Sequence, residues 1–142
     1  MANIEIYNAH CCGEIGEVVI SGDFNLKGKT LLEQSKNLLE DQTLRNFLFN
    51  EPRGGVFKHF NLLVTPKNKK AEAGFIILEP EDNPPMSGSN SICVATVLLE
   101  KNFIKMKEPI TEFLLEAPGG IIPIKAYCKN KRVKFVEIKN LP

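Results

Sequence analysis

The run Ile92–Leu99 reads Ile-Cys-Val-Ala-Thr-Val-Leu-Leu, and its lack of any charged residue constrains the fold more than any other feature of the chain. A helix lying on a protein surface brings polar residues round to its outer face every turn. This run is too apolar for that and predicts a helix buried among other elements. Something must then be wrapped around it, and the remaining segments show what.

Ile4–Tyr7 and Glu17–Ser21 read as strands, the second carrying Val18-Val19-Ile20, and Gly22–Lys29 follows as a loop. Thr30-Leu-Leu-Glu33 fits a capping box, and Leu31, Leu38 and Leu39 recur at helical spacing, so a helix is expected from there. Asp41 is placed to cap a second helix through Phe49, ended by Pro52, Gly54 and Gly55. Val56–Thr65 and Ala73–Glu79 predict a hairpin whose basic turn is Pro66–Lys70. Beyond the buried helix, Phe113–Glu116, Ile121–Tyr127 and Val133–Ile138 predict three strands, separated by the Pro118-Gly-Gly120 and Lys129–Arg132 turns. Strands outnumber helices and do not alternate regularly with them. The expected class is therefore α+β, with a mixed, barrel-like sheet around the central helix, rather than a doubly wound parallel sheet.

The 142 residues suit one domain, 1–142. Eighteen basic residues against seventeen acidic ones give no electrostatic footprint for nucleic acid or an anionic membrane. The lysines of the Pro66–Lys70 turn are read as solvated surface charge. No apolar stretch is long enough to span a bilayer and Met1–His10 lacks the pattern of a secretion signal, so a cytoplasmic protein with a small-molecule partner is expected. Cys11, Cys12, Cys93 and Cys128 form no CxxC pair and no Cys/His cluster, so no metal is expected. Cys93 and Cys128 sit in apolar surroundings and read as buried free thiols, whereas the pair Cys11–Cys12 is either structural or reactive.

Chemistry is concentrated just before the buried helix, at Met86-Ser-Gly-Ser-Asn-Ser91. The first turn of a helix has unpaired N–H groups and a partial positive charge, which suits a carboxylate or phosphate, and Gly88 allows close approach to the backbone. The plainer reading is that Ser89, Asn90 or Ser91 only caps the helix. His10 either lines a pocket or does not reach one; His59, between Phe57 and Phe60, reads as structural. Arg53, after Glu51-Pro52, is open to both a substrate contact and an ordinary solvated or ion-paired role.

Met86-Ser-Gly-Ser-Asn90 before an apolar helix is similar to the Met-Cys-Gly-His segment of the proline racemase family, and closer to a branch with serine at the cysteine position. Asn8-Ala-His10 with Gly13-Glu14 resembles that family's Asp-x-His signature. Asn50-Glu-Pro-Arg-Gly54 resembles its Arg-Gly turn, and Leu115-Glu-Ala-Pro-Gly-Gly120 the strand and turn after its central helix. The likeness runs over essentially all the chain and corresponds to the family's N-terminal half. It implies a diaminopimelate epimerase-like half, with substrate held between two such halves. It further implies cofactor-independent racemisation, epimerisation or dehydration of proline or hydroxyproline by proton abstraction at the α-carbon. Ser87 takes the acid/base position, and Gly88, Ser89 and Asn90, with His10 and Arg53, bind substrate. Serine is a far poorer base than a thiolate, and no Asp-Arg-Ser-Pro-Cys-Gly-like segment is present, so the second residue, a cysteine acting as the main base, is expected from a complementing second-half chain, while a homodimer is expected as a way to bury the apolar face where a second half packs. The competing expectation is an inactive domain that binds a small carboxylate or only self-associates.

Overall fold

In the computed structural model, which describes residues 3–141, the chain forms nine strands and three helices. It opens with β1 (Glu5–Tyr7), β2 (His10–Cys11), β3 (Glu14–Ile15) and β4 (Glu17–Ser21), followed by α1 (Leu31–Leu39) and α2 (Gln42–Phe49). Next come β5 (Phe60–Val64), β6 (Ala73–Leu78) and α3 (Gly88–Glu100), and then β7 (Ile110–Ala117), β8 (Gly120–Lys129) and β9 (Arg132–Ile138). Seven strands make one sheet in the order β1-β4-β5-β6-β7-β8-β9. The pairs β4–β5 and β6–β7 are parallel and the others antiparallel, while β2 and β3 form a separate hairpin turned at Cys12 (φ 51°) and Gly13 (φ 95°).

Side-chain alternation along β6 divides the interior. Phe75 and Ile77 point to one face, where they meet Val94, Ala95, Leu98 and Leu99 of α3; Ile76 and Leu78 point to the other, where they meet Leu38 of α1 and Leu44 and Leu48 of α2. A strand covered on both faces reads as a continuous apolar run, and β6 does. By contrast β7 reads Ile-Thr-Glu-Phe-Leu-Leu-Glu-Ala, with Phe113, Leu115 and Ala117 turned to α3 and Glu112 exposed. The apolar run that predicts a buried helix is the body of α3, whose Cys93–Ala95 and Val97–Leu99 are all buried.

The expectation of a barrel-like sheet needs correction, because the sheet is not closed. Among the described residues it remains an open α+β sheet: β1 pairs only with β4 and β9 only with β8. The physical reason lies at the two edges. Strand β1 has three residues and a register shift at Glu5/Ile6. On β9, the Val133 N–H is taken by Glu100 Oε1 of α3 at 3.0 Å, with Arg132 Nε 3.2 Å from the same oxygen, so a helix side chain occupies a donor that a closing strand would need. On the β1 side Lys101 Nζ stands 4.6 Å from the Tyr7 ring centre.

Local signals place the helices. Thr30 Oγ1 accepts from Glu33 N at 3.1 Å, and Glu33 reaches back to accept from Lys29 N at 2.6 Å, one residue earlier than in the usual capping box. Asp41 Oδ1 accepts from Leu44 N at 3.0 Å. The expected strand over Val56–Thr65 starts only at Phe60; Val56 is 89% exposed and Phe57 63%, in a loop that follows Gly54-Gly55. Cys93 and Cys128 are buried, Cys11 is half-buried and Cys12 exposed. Among the described residues, no helix is long and apolar enough to cross a membrane, and no three His, Cys, Asp or Glu side chains are grouped to hold a metal ion.

Candidate functional site

The first turn of α3 is positioned by elements far from it in sequence. Arg45 of α2, only 8% exposed, donates to the carbonyls of Glu79 and Pro80 at 2.7 Å each and to Asn83 Oδ1 at 3.0 Å. Asn83 Nδ2 in turn donates to the Ser35 carbonyl of α1 at 2.9 Å. The loop that carries the chain from β6 to α3 is thereby tied to both outer helices. At its far end Gly119 N donates to the Pro85 carbonyl at 2.7 Å, so the β7–β8 turn braces the entry to α3. On the third side Gly16 lies against α3: a Cβ there would come within 2.8 Å of Cys93 Sγ and 3.0 Å of Asn90 Oδ1. Only a residue without a side chain lets β3–β4 approach the helix so closely.

Ser87 is the N-cap, with extended backbone (φ −147°, ψ 133°). Its Oγ accepts from Asn90 N at 3.4 Å and from Asn90 Nδ2 at 3.0 Å, and lies 3.3 Å from Ser89 Oγ. The capping hydroxyl is therefore that of Ser87, and not of Ser89, Asn90 or Ser91. Ser91 is buried and donates its Oγ proton to the Ser87 carbonyl at 2.6 Å. Among the described residues nothing accepts from the backbone N–H of Gly88 or Ser89. These two donors, with the partial positive charge of the helix end, form a cradle for an anionic oxygen. A Cβ on Gly88 would meet nothing nearer than Ile138 Cδ1 at 3.4 Å, so the fold itself does not demand glycine there, and its effect is to leave the cradle open.

Behind this surface lies a polar cluster. Asn90 is 1% exposed; its Oδ1 accepts from Asn61 Nδ2 at 2.8 Å, and its Nδ2 also stands 3.5 Å from both His59 Nδ1 and Glu79 Oε1. His59 Nδ1 is 3.6 Å from Glu79 Oε1 and 3.7 Å from Glu14 Oε1. Lys58 Nζ meets Glu17 Oε1 at 2.6 Å, and Glu17 N donates to the His59 carbonyl at 2.8 Å, so the residues entering β5 are fixed beside β4. Burial pushes the Glu79 carboxyl above its ordinary range; His59 opposes the shift, while Asp82 and Glu14 add to it. Cys93, on the next turn of α3, is held by burial as a neutral thiol, its pKa pushed up to about 12, which suits packing and not nucleophilic chemistry.

Of the residues singled out from sequence, Ser87, Gly88, Ser89 and Asn90 stand together, with the first three half-exposed and the Asn90 carboxamide directed inward. His10 is exposed on β2, its Nδ1 accepting from Gly13 N at 3.1 Å. The ≈ 560 Å³ cavity it lines runs along the flank of α3 past Cys93 and Thr96, and Ser87 is not among the lining residues. Arg53 donates to the Phe47 carbonyl at 3.4 Å and stacks over the Phe47 ring at 4.4 Å. His59, Glu79 and Asn61 are the members that sequence reading did not gather into the site. For Asn61 a signal existed, since it is the one polar residue in the apolar strand Phe60–Val64. For His59 and Glu79 nothing local distinguishes a cluster member from a strand-end side chain.

Two solved structures share this fold over nearly the whole chain. One is a hydroxyproline epimerase from Agrobacterium vitis with bound trans-4-hydroxy-L-proline, 40% identical, with a TM-score of 0.90 over 95% of this chain. The other is a probable proline racemase from Agrobacterium radiobacter K84 with bound carbonate, 42% identical, with a TM-score of 0.91 over 96% of this chain. The chain spans about 40% of the length of each, with 40% of the first covered and 41% of the second. A methylitaconate-delta-isomerase, 14% identical with a TM-score of 0.63, shares the fold over 92% of this chain and 35% of its own. Residues 6–142 match the family described as proline racemase, with the Ser87 turn and the buried helix inside the matched region, and on that match the chain belongs to the proline racemase family.

Proposed function

We propose that this domain supplies one half of a cofactor-independent active site that moves a proton at the α-carbon of proline or a hydroxyproline, in racemisation, epimerisation or dehydration. The carrying observation is the first turn of α3, where a hydroxyl and two unpaired N–H groups converge on a half-exposed surface. Ser87 stands on one face of the α-carbon, as in a serine branch of the family. The Gly88 and Ser89 N–H groups hold the carboxylate, which is where negative charge grows as the α-proton leaves, and the positive helix end stabilises it. Asn90 supports Ser87 from behind. His10 and Arg53 reach substrate only from the periphery, if the loops that carry them meet a second half. The proton-transfer residue on the opposite face belongs to an N-terminal-half/C-terminal-half pairing of the kind that the longer relatives make room for. That half comes from a complementing segment that carries the base.

The relatives' names support the substrate class: one is solved with trans-4-hydroxy-L-proline bound. A domain that binds a small carboxylate without turnover would use the same N–H cradle, and the test separates the two. The full-length protein is incubated in D2O with the isomers of proline, 3-hydroxyproline and 4-hydroxyproline, and α-proton loss is followed by NMR. Exchange or elimination with one of them is expected, and delivery of hydrogen to the Ser87 face, read as formation of the opposite α-epimer, falls at least ~100-fold in Ser87→Ala. Binding without exchange at any α-carbon would leave the carboxylate-binding reading in its place.

A further inference from the structure

Asn61 is fully buried, and its carboxamide is satisfied on one side only. Its Nδ2 donates to the Glu17 carbonyl at 3.4 Å and to Asn90 Oδ1 at 2.8 Å, while its Oδ1 has no hydrogen-bond partner. An orphaned buried acceptor is unfavourable, and turning the amide over is the simplest way to seek relief. The surroundings forbid it. The Glu17 carbonyl can only accept, so a reversed Asn61 would set oxygen against oxygen there. With Asn61 so fixed, Asn90 must present Oδ1 to it and therefore Nδ2 to Ser87. Glu79 Oε1, 3.5 Å from the same Nδ2, favours the same direction.

The consequence falls on the Ser87 hydroxyl. Its oxygen receives two N–H donors, the backbone N–H and the Nδ2 of Asn90, which occupy both lone pairs. What remains is its own hydrogen, free to point outward, with Ser89 Oγ at 3.3 Å as its neighbour. A serine that begins as a base needs an acceptor for its proton; Asn90 offers it donors instead. We propose that Asn61, acting through Asn90, sets the Ser87 hydroxyl as a proton donor toward the substrate α-carbon. This rests on the reaction proposed above and deepens it. In the step concerned a base on the opposite face has already taken the α-proton. The carbanion's electron pair forms the new C–H bond with the Ser87 proton, the O–H bond breaks, and its electron pair stays on Oγ, where the two N–H groups and the helix end stabilise the alkoxide. Asn61 touches no substrate and is a positioning residue.

The test is Asn61→Asp in the full-length protein. An aspartate there has only acceptors to offer, so Asn90 turns over, presents Oδ1 to Ser87 and draws the hydroxyl proton inward. The expected result is a fall in kcat of at least ~10-fold with KM within about threefold, and no further loss when the change is added to Ser87→Ala. A reading independent of turnover is the NOE from the Asn90 carboxamide protons to the Ser87 β-protons, expected in the wild type and lost in Asn61→Asp. If the aspartate variant does not fold, Asn61→Leu removes the donor that directs Asn90 and is expected to weaken both kcat and the NOE. An unchanged kcat, a loss additive with Ser87→Ala, or a persistent NOE overturns the proposal. Absence of turnover in the wild type with the NOE pattern as expected sinks the reaction assignment and leaves the hydroxyl's orientation standing.

Discussion

The two ends of α3 are built from one continuous stretch of chain, yet they are held by different physics. From Cys93 to Leu99 the helix is fixed mainly by apolar contact with the sheet, and among the described residues the one directed side-chain bond there is that of Thr96, whose hydroxyl donates to the Ile92 carbonyl at 2.8 Å. From Ser87 to Ser91 it is fixed by directed hydrogen bonds to its own backbone, to Asn61 on β5 and to the Glu79 strand end. Dispersion and the hydrophobic effect tolerate small shifts, whereas a chain of hydrogen bonds with alternating donors and acceptors has one arrangement that works. The apolar end anchors the helix in the fold, and the polar end carries geometry. Stability and function should therefore separate along a single helix.

The most forceful way to break this division is at the apolar end. Leu99, 1% exposed, contributes nothing to the Ser87 cluster but fills the space under β6–β8. Leu99→Ala is expected to cost roughly 2–5 kcal/mol of unfolding free energy, the usual range for a large-to-small core change, read from urea denaturation. Carboxylate binding in the fraction that stays folded should be unchanged. A variant that lost affinity as much as stability would show that the two ends are mechanically coupled.

How far the division is visible in the residues themselves follows from the same physics. Apolar burial is written in composition, so Ile92–Leu99 announces a buried helix, and β6 and β7 announce two-sided and one-sided strands. Directed bonds between distant segments leave no such trace. His59 is next to Phe60 in sequence and reads as part of a strand, but the strand starts one residue later, and the histidine lies against Glu79 and Asn90. Arg45 looks like one more surface charge on α2, although it holds the Glu79–Asn83 loop that leads into α3. The open sheet was also illegible. At the β9 edge the Val133 N–H is taken by Glu100, thirty-three residues away, a contact with no local trace in the sequence.

A gentler change sharpens the comparison from the polar end. Since a Cβ at Gly88 meets only Ile138 Cδ1 at 3.4 Å, Gly88→Ala should leave stability unchanged or slightly raised, alanine being the better helix former. The methyl group sits beside the N–H cradle, so on the proposed carboxylate role the binding of a proline or hydroxyproline ligand is expected to weaken about tenfold, on the order of 1.4 kcal/mol, measured by calorimetry. Equal affinity in the two proteins would mean that the carboxylate does not lie over this turn. A large loss of stability would instead mean that the glycine serves the packing against β9.

The smallest effect concerns Glu79, which with His59 joins the polar end to the sheet. Burial raises the Glu79 carboxyl above its ordinary 4.5, with His59 opposing and Asp82 and Glu14 reinforcing the shift. The folded chain therefore binds this proton more tightly than the unfolded chain does. Between pH 4.5 and the raised value, the group's contribution to stability increases as pH falls; above the raised value the buried charge is a fixed disadvantage to the fold. Glu79→Gln keeps an acceptor oxygen for Asn90 Nδ2 and removes the charge, as protonation does. The variant should be more stable than the wild type above the raised value, with the gap closing as pH is lowered toward 4.5, in denaturation curves taken across that window. A gap that does not change with pH would assign the difference to packing. A wild type that gains on the variant as pH rises would mean that the His59 contact outweighs burial, and that the polar end is held by an ion pair instead of by the neutral chain of amides behind Ser87.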